Sequence, residues 1–219
     1  MSWPDRRACE PLVFYVTDRR GFGVEESHTA ARLLETVARA ADAGVDAIQL
    51  REKDLGSRAL LALAQQAVAR AGRAKILIND RLDVALAAGA SGVHLGGESL
   101  PVADVVQFRA SGRAPADFWI GRSCHSLEEA LAAERDGAGY VFFGPVFATP
   151  SKAQYGAPQG MEALATVCRA VRIPVVAIGG ITLENAGSCI AAGAAGIAAI
   201  RLFQQTADLG AVVSGLKQR

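Results

Sequence analysis

The chain has 219 residues, enough for one large domain or two small ones with a substantial buried core. Its 23 lysines and arginines nearly balance 22 aspartates and glutamates, so no overall field favours nucleic acid or a charged membrane surface. No apolar run reaches the ~18 residues of a membrane span, and no signal-like stretch opens the chain.

Short apolar, β-branched runs recur along the whole sequence. Leu12 to Val16, Ala47 to Leu50, Lys75 to Ile78 and Gly92 to Leu95 form the first four candidate strands. Phe118 to Ile120, within the stretch Asp117 to Gly121, is the fifth; Tyr140 to Phe143, Pro174 to Ile178 and Gly196 to Ile200 complete eight. Between them lie segments with helical spacing, such as Thr29 to Ala43, Ser57 to Ala71 and Leu127 to Arg135. Ser126, with Glu129 three residues on, has the pattern of a capping box opening the last of these. The turns Ala43-Gly-Val-Asp46, Ala88-Gly-Ala-Ser-Gly92, Asp136-Gly-Ala-Gly139 and Ala192-Gly-Ala-Ala-Gly196 each end a helix on glycine and open the next strand. Apolar strands alternating with helices predict a parallel sheet covered by helices. Eight units without a dinucleotide fingerprint after the first strand favour a single α/β domain over residues 1–219, a (β/α)8 TIM barrel with an N-terminal extension over 1–10. A doubly wound open sheet is the alternative. Four scattered cysteines, Cys9, Cys124, Cys168 and Cys189, lack Cys-x-x-Cys or metal-finger spacing and read as reduced thiols, which predicts a soluble cytoplasmic protein. A homo-oligomer stays open.

Barrel chemistry gathers at the C-terminal ends of strands. Strand 2 ends in Gln49-Leu-Arg-Glu-Lys53, and alternation points Gln49, Arg51 and Lys53 to one side. Strand 3 ends in Asn79-Asp80, strand 4 in His94-Leu-Gly-Gly-Glu98, and strand 5 supplies Ser123 and His125. Strand 6 leads into the loop Thr149 to Gly156, with Thr149, Ser151 and Lys152, and is read as a lid; strand 7 ends in Gly179-Gly180 and strand 8 in Arg201. Each has a plain structural alternative. Asn79-Asp80 could cap the next helix, Arg51 and Glu52 could be a surface ion pair, and His94 could be a hydrogen-bonded core residue. Taken together, cations, amides and hydroxyls around one mouth suit an anionic ligand. Gly179-Gly180 and the turn after strand 8 form one candidate phosphate site. Thr149, Ser151 and Lys152, with Arg51 and Lys53, form another. Two such sites imply two phosphorylated groups, or a phosphate and a pyrophosphate.

The chain resembles thiamine phosphate synthase and its paralogue TenI, the thiazole tautomerase, along nearly its whole length. The resemblance is carried by Gln49 to Lys53, Ile78 to Asp80, Gly92 to Gly96, Gly121 to His125, Gly144 to Lys152, Pro158 to Gly160 and Ala177 to Ile181. It implies a (β/α)8 barrel that couples hydroxymethylpyrimidine diphosphate with hydroxyethylthiazole phosphate and releases pyrophosphate. Gln49, Arg51 and Lys53 then match pyrophosphate and pyrimidine contacts, Asn79 the diphosphate, Asp80 the Mg2+ and Ser123 the pyrimidine. Thr149, Ser151 and Lys152 match the loop serving both phosphates, Gly180 the backbone phosphate site, and His125, Lys152 and Arg51 the candidate catalytic side chains. The family pattern after strand 4 carries Gln and a second magnesium-ligating Asp where this chain has Gly97 and Ser99. That weakens the metal site unless Glu98 contributes. After strand 8, Arg201 stands where the family usually has serine, and a guanidinium binds phosphate too. Gly121 to Ala130 is also close to the TenI pattern, in which the histidine is the acid/base of a thiazole tautomerase, so that activity is the alternative. A non-catalytic binder of thiazole or thiamine phosphate is the second.

Overall fold

A computed structural model of the protein describes residues 10–23, 25–149 and 157–219. Of the expected N-terminal extension, residues 1–9 lie outside the described residues, as do Ser151, Lys152 and all but the first residue of the expected lid.

Eight strands, β1 (Leu12–Val16), β2 (Ala47–Leu50), β3 (Lys75–Asn79), β4 (Gly92–Leu95), β5 (Trp119–Cys124), β6 (Tyr140–Phe143), β7 (Val175–Ile178) and β8 (Gly196–Ala199), pair in parallel with their sequence neighbours. β8 returns to β1, with Ala198 opposite Phe14, and closes the barrel. Nine α-helices lie among the described residues: α1 (Glu26–Asp42), α2 (Ser57–Arg70), α3 (Leu82–Ala87), α4 (Val102–Phe108), α5 (Leu127–Arg135), α6 (Gly160–Ala170), α7 (Leu183–Ala191), α8 (Arg201–Gln204) and α9 (Leu209–Lys217). The expected barrel is the observed one, and the open sheet is not.

Closure follows from two apolar faces per strand. Leu12, Phe14, Val16, Leu77, Tyr140, Phe142, Val176 and Ala198 point inward and fill the barrel. Val13, Tyr15, Ile48, Ile76, Ile78, Val141 and Ile197 point outward into a second layer beneath the helices. Amphipathic helices supply its other half; Leu33, Val37 and Ala40 of α1 repeat at helical spacing and are fully buried. Inward glycines make room for large neighbours: a Cβ on Gly196 would stand 2.4 Å from the Leu12 carbonyl oxygen.

The four helix-to-strand turns share one hydrogen-bond pattern. Gly44, Gly89, Gly137 and Gly193 all have positive φ, and each donates to the carbonyl three residues back. The residue after each, Val45, Ala90, Ala138 or Ala194, donates to the carbonyl five back, which is the Schellman closure that favours glycine.

Some expectations are corrected. β5 runs to Cys124, well past Ile120, because it carries polar Arg122 and Ser123 toward the mouth. α1 opens at Glu26 rather than Thr29, on polar residues without an apolar signal. At α5 the Ser126 hydroxyl accepts from Glu129 N, but the Glu129 carboxylate reaches His125 N at 2.6 Å instead of closing the box on Ser126. Asn79-Asp80 does not cap α3, whose N-cap residue is Arg81. Glu52 is not on the surface with Arg51: it is buried and pairs with Arg19.

Candidate active site

Inward alternation carries Val16, Gln49, Asn79, Ser123, Phe142, Ile178 and Ala198 to the C-terminal end of the barrel, where they line one cavity of about 440 Å³. That volume suits a small organic ligand. Its floor is apolar, from Val16, Phe142, Ile178 and Ala198; its rim is polar.

Three rim cations, Arg51, Lys53 and Arg201, stand against one rim carboxylate, Asp18. Among the described residues none of the three cations forms an ion pair, whereas Arg19, Arg20, Arg32, Arg81, Arg135 and Lys217 all do. Arg51 is held by its backbone, since Arg51 N donates to the Thr17 hydroxyl oxygen at 3.0 Å. That hydroxyl donates in turn to Glu52 at 2.5 Å. Glu52 takes the Arg19 guanidinium at 3.3 Å, and Arg19 also grips Asp54 with two bonds of 2.6 Å. The Asp54 carboxyl is held down to about 2, first by hydrogen bonding to Arg19. The strand-2 end is thereby stitched to the turn after β1, leaving the Arg51 side chain for the cavity.

On the next strand, orientation propagates from a charge. A carboxylate oxygen accepts, so Asn79 turns its Nδ2 toward Asp80 Oδ2 at 2.6 Å. Asn79 Oδ1 is then left to accept from Gln49 Nε2 at 2.7 Å. The Gln49 side-chain oxygen Oε1 and the second hydrogen on Nε2 remain for a ligand, although the residue is 2 % exposed. The other Asp80 oxygen accepts from Gly96 N at 2.7 Å and from the Ser99 hydroxyl. Asp80 adopts positive φ to reach them, unusual for a residue with a side chain. Glu98 is exposed and is not part of the cavity wall.

His125 lies on the rim with its ring Nδ1 against the Gly144 carbonyl oxygen. A carbonyl only accepts, so Nδ1 carries the proton and Nε2 is the basic nitrogen. His94, by contrast, is wholly buried, with Nδ1 3.0 Å from the Tyr140 hydroxyl and Nε2 2.9 Å from the Ser123 hydroxyl. Burial pushes its pKa down to about 3, so it is neutral; the core alternative is the one realised.

Gly179 and Gly180 line the cavity with φ of 97° and 66°. Packing also demands them: a Cβ on Gly180 would stand 2.6 Å from the Ala148 carbonyl oxygen, and one on Gly179 2.5 Å from Pro145. The chain after β6 lies on this turn, with Phe147 N donating to Gly179 O at 3.0 Å. Thr149 lines the cavity as well.

The structure thus brings Gln49, Arg51, Lys53, Asn79, Ser123, His125, Thr149, Gly179, Gly180 and Arg201 to one cavity, with Asp80 behind Asn79. The sequence reading begins at strand 2 and leaves out Asp18 and Gly21, which also line it. Applying the strand-end rule to Val16-Thr-Asp18 would have found Asp18. Nothing local marks Arg19 as the partner of Glu52, 33 residues away.

Fold and site together define a (β/α)8-barrel enzyme with a ring-sized, cation-rimmed mouth. The chain belongs to the thiamine monophosphate synthase/TenI family, whose model matches residues 21–203. It is 45% identical over 190-odd residues to the thiamine-phosphate synthase of Roseiflexus castenholzii, covering 86% of this chain and 79% of that one. Against the thiamine-phosphate synthase of Methanoculleus marisnigri it is 42% identical over 208 residues, covering 94% and 93%. A solved thiamine phosphate pyrophosphorylase from Pyrococcus furiosus superposes with a TM-score of 0.77 at 35% identity, over 94% of this chain and 93% of that one.

Proposed function

We propose that this protein couples hydroxymethylpyrimidine diphosphate with hydroxyethylthiazole phosphate to form thiamine phosphate and pyrophosphate. The observation that carries the reading is the row Arg51, Lys53 and Arg201, cations without ion-pair partners among the described residues, around a cavity whose floor is apolar. A diphosphate meets the rim cations while a flat heteroaromatic ring covers Phe142 and Ile178. Gln49 of β2, turned by Asn79, and Ser123 of β5 contact the ring. Arg51 and Lys53 stabilise the charge that builds on the leaving pyrophosphate. Thr149 and the glycine turn receive the thiazole phosphate, together with Ser151 and Lys152.

The donor set accommodates Mg2+ at one carboxylate. Asp80 Oδ1 already takes two donors, but Oδ2 takes only Asn79 and keeps a lone pair. Mg2+ is commonly bound by one or two carboxylates plus substrate phosphates and water. Asp80 would therefore hold it, with Glu98 as a candidate second carboxylate; bound, the ion neutralises charge on the diphosphate.

A second reading, thiazole tautomerisation, is supported by His125. Its Nδ1–H is committed to Gly144, so Nε2 is free to accept a proton at the cavity rim. We place the protein in the cytoplasm, on free thiols at Cys124, Cys168 and Cys189, and no helix of the described residues is long and apolar enough to cross a membrane.

The test is turnover on purified protein, with both substrates and Mg2+, with and without chelator. Thiamine phosphate formed only with Mg2+ supports the coupling. No coupling, with proton transfer on the thiazole ring of a thiazole phosphate instead, replaces it with the second reading.

A further inference from the structure

Beneath the cavity the barrel is closed by packed aromatic rings. Phe14 lies 5.4 Å from Tyr140 and 5.2 Å from Phe142 between ring centroids. His94 is embedded here, its ring 4.2 Å from Phe142. Its two nitrogens join the Tyr140 hydroxyl, deep in the core, to the Ser123 hydroxyl at the cavity wall. Space for this chain is built into β5: a Cβ on Gly121 would stand 2.2 Å from Tyr140 Cζ and 2.4 Å from its oxygen. Any side chain at 121 would displace the phenol.

A neutral imidazole donates at one nitrogen and accepts at the other. Two arrangements are therefore available. In one, Nδ1–H donates to Tyr140 and Ser123 spends its hydrogen on Nε2, showing the ligand only lone pairs. In the other, Tyr140 donates to Nδ1, Nε2–H donates to the Ser123 oxygen, and the Ser123 hydrogen faces the cavity. A phenol is a far stronger acid than an aliphatic alcohol and hence the better donor, whereas the alcohol oxygen is the better acceptor. We infer that Tyr140 is a positioning residue: it fixes His94 as the Nε2–H tautomer, and Ser123 consequently meets the ligand as a hydrogen-bond donor. The ligand atom at Ser123 is then an acceptor, of the kind a heteroaromatic ring nitrogen provides. Burial supports the neutral imidazole this requires. The part concerning the ligand rests on the proposed coupling reaction; the tautomer does not.

The first measurement is nitrogen NMR of 15N-histidine-labelled protein. With three histidines in the chain, His28→Gln and His125→Gln assign His94 by elimination. The expected spectrum has the proton on Nε2 and the strongly downfield, unprotonated resonance on Nδ1, whereas a proton on Nδ1 overturns the inference. In Tyr140→Phe the tautomer should shift toward Nδ1–H. The KM for the pyrimidine diphosphate should rise about tenfold with kcat little changed, the loss of one directed hydrogen bond. Ser123→Ala should show the same split, and the double variant should be no worse than Ser123→Ala alone. Losses that multiply would mean Tyr140 does not act through Ser123. If wild-type protein couples no substrates, the functional reading falls while the nitrogen shifts still decide the tautomer.

Discussion

Replacing Arg19 with alanine tests how the mouth is held together. The side chain is 6% exposed and carries four contacts: two to Asp54 at 2.6 Å, one to Glu26 at 2.7 Å and one to Glu52 at 3.3 Å. The Glu26 contact contributes little, because that carboxylate is 65% exposed. Glu52 is the costly partner, at 2% exposure. Stripping one partner from a buried ion pair typically costs ~3–5 kcal/mol. Here Glu52 keeps two donors that the substitution does not touch, the Thr17 hydroxyl and the Arg19 backbone N–H. We therefore expect a loss of ~2–3 kcal/mol, a fall in Tm of about 4–12 °C for a chain of this length. Urea denaturation followed by circular dichroism should show a lower midpoint with an unchanged slope. Adding Glu52→Gln should return part of the loss by removing the orphaned charge. Asp54 supplies a second signature. Its folded carboxyl sits at about 2 against an ordinary 3.8, so its stabilisation is present above 3.8 and disappears as pH falls toward 2. Arg19→Ala should lack that part of the acid limb. A variant within ~0.5 kcal/mol of wild type, or one with the same acid limb, refutes the clamp.

Two further substitutions probe the rim. Gly180→Ala should destabilise by at least ~1–2 kcal/mol from its left-handed backbone, before the overlap with Ala148 is counted; an unchanged urea midpoint would show that the turn relaxes freely. His125→Ala separates the two functional readings: a loss of about 10²–10⁴ in tautomerisation follows if Nε2 shuttles the proton, whereas coupling should fall less than tenfold. Equal losses in both assays would make the imidazole a structural support for the Gly144 carbonyl.

Much of the architecture is legible in the residues because the barrel obeys local rules. Apolar runs of three to five residues, glycine-closed helices and their alternation locate all eight strands. The strand-end rule likewise gathers Gln49, Arg51, Asn79 and Ser123, since inward alternation leaves them no other direction. What fails is pairing at a distance. Glu52 sits between two cavity cations, Arg51 and Lys53, which are the opposite charges nearest in sequence. The strand's alternation sends it to the opposite side, where Arg19 waits on another loop. β5 is cut short for a related reason. Ser123 and Arg122 weaken its apolar signal, yet a strand that walls a polar cavity must end in such residues.

The arrangement also explains why residue identity alone separates the two activities poorly. Ligand-facing polarity at this mouth is set one step behind the surface. The charge on Asp80 turns Asn79, and Asn79 turns Gln49. Thr17 and Glu52 hold the Arg51 backbone, and the Gly144 carbonyl chooses the basic nitrogen of His125. A family member can therefore keep every rim side chain and still present a different pattern of donors and acceptors if a supporting residue changes. Ser99 is such a change: its hydroxyl donates to Asp80 where a carboxylate could only accept, so Asp80 keeps its orientation. With Asp80 fixed, Asn79 stays turned and Gln49 keeps its orientation at the cavity wall, so Ser99 in place of an acidic residue after strand 4 is compatible with the proposed coupling.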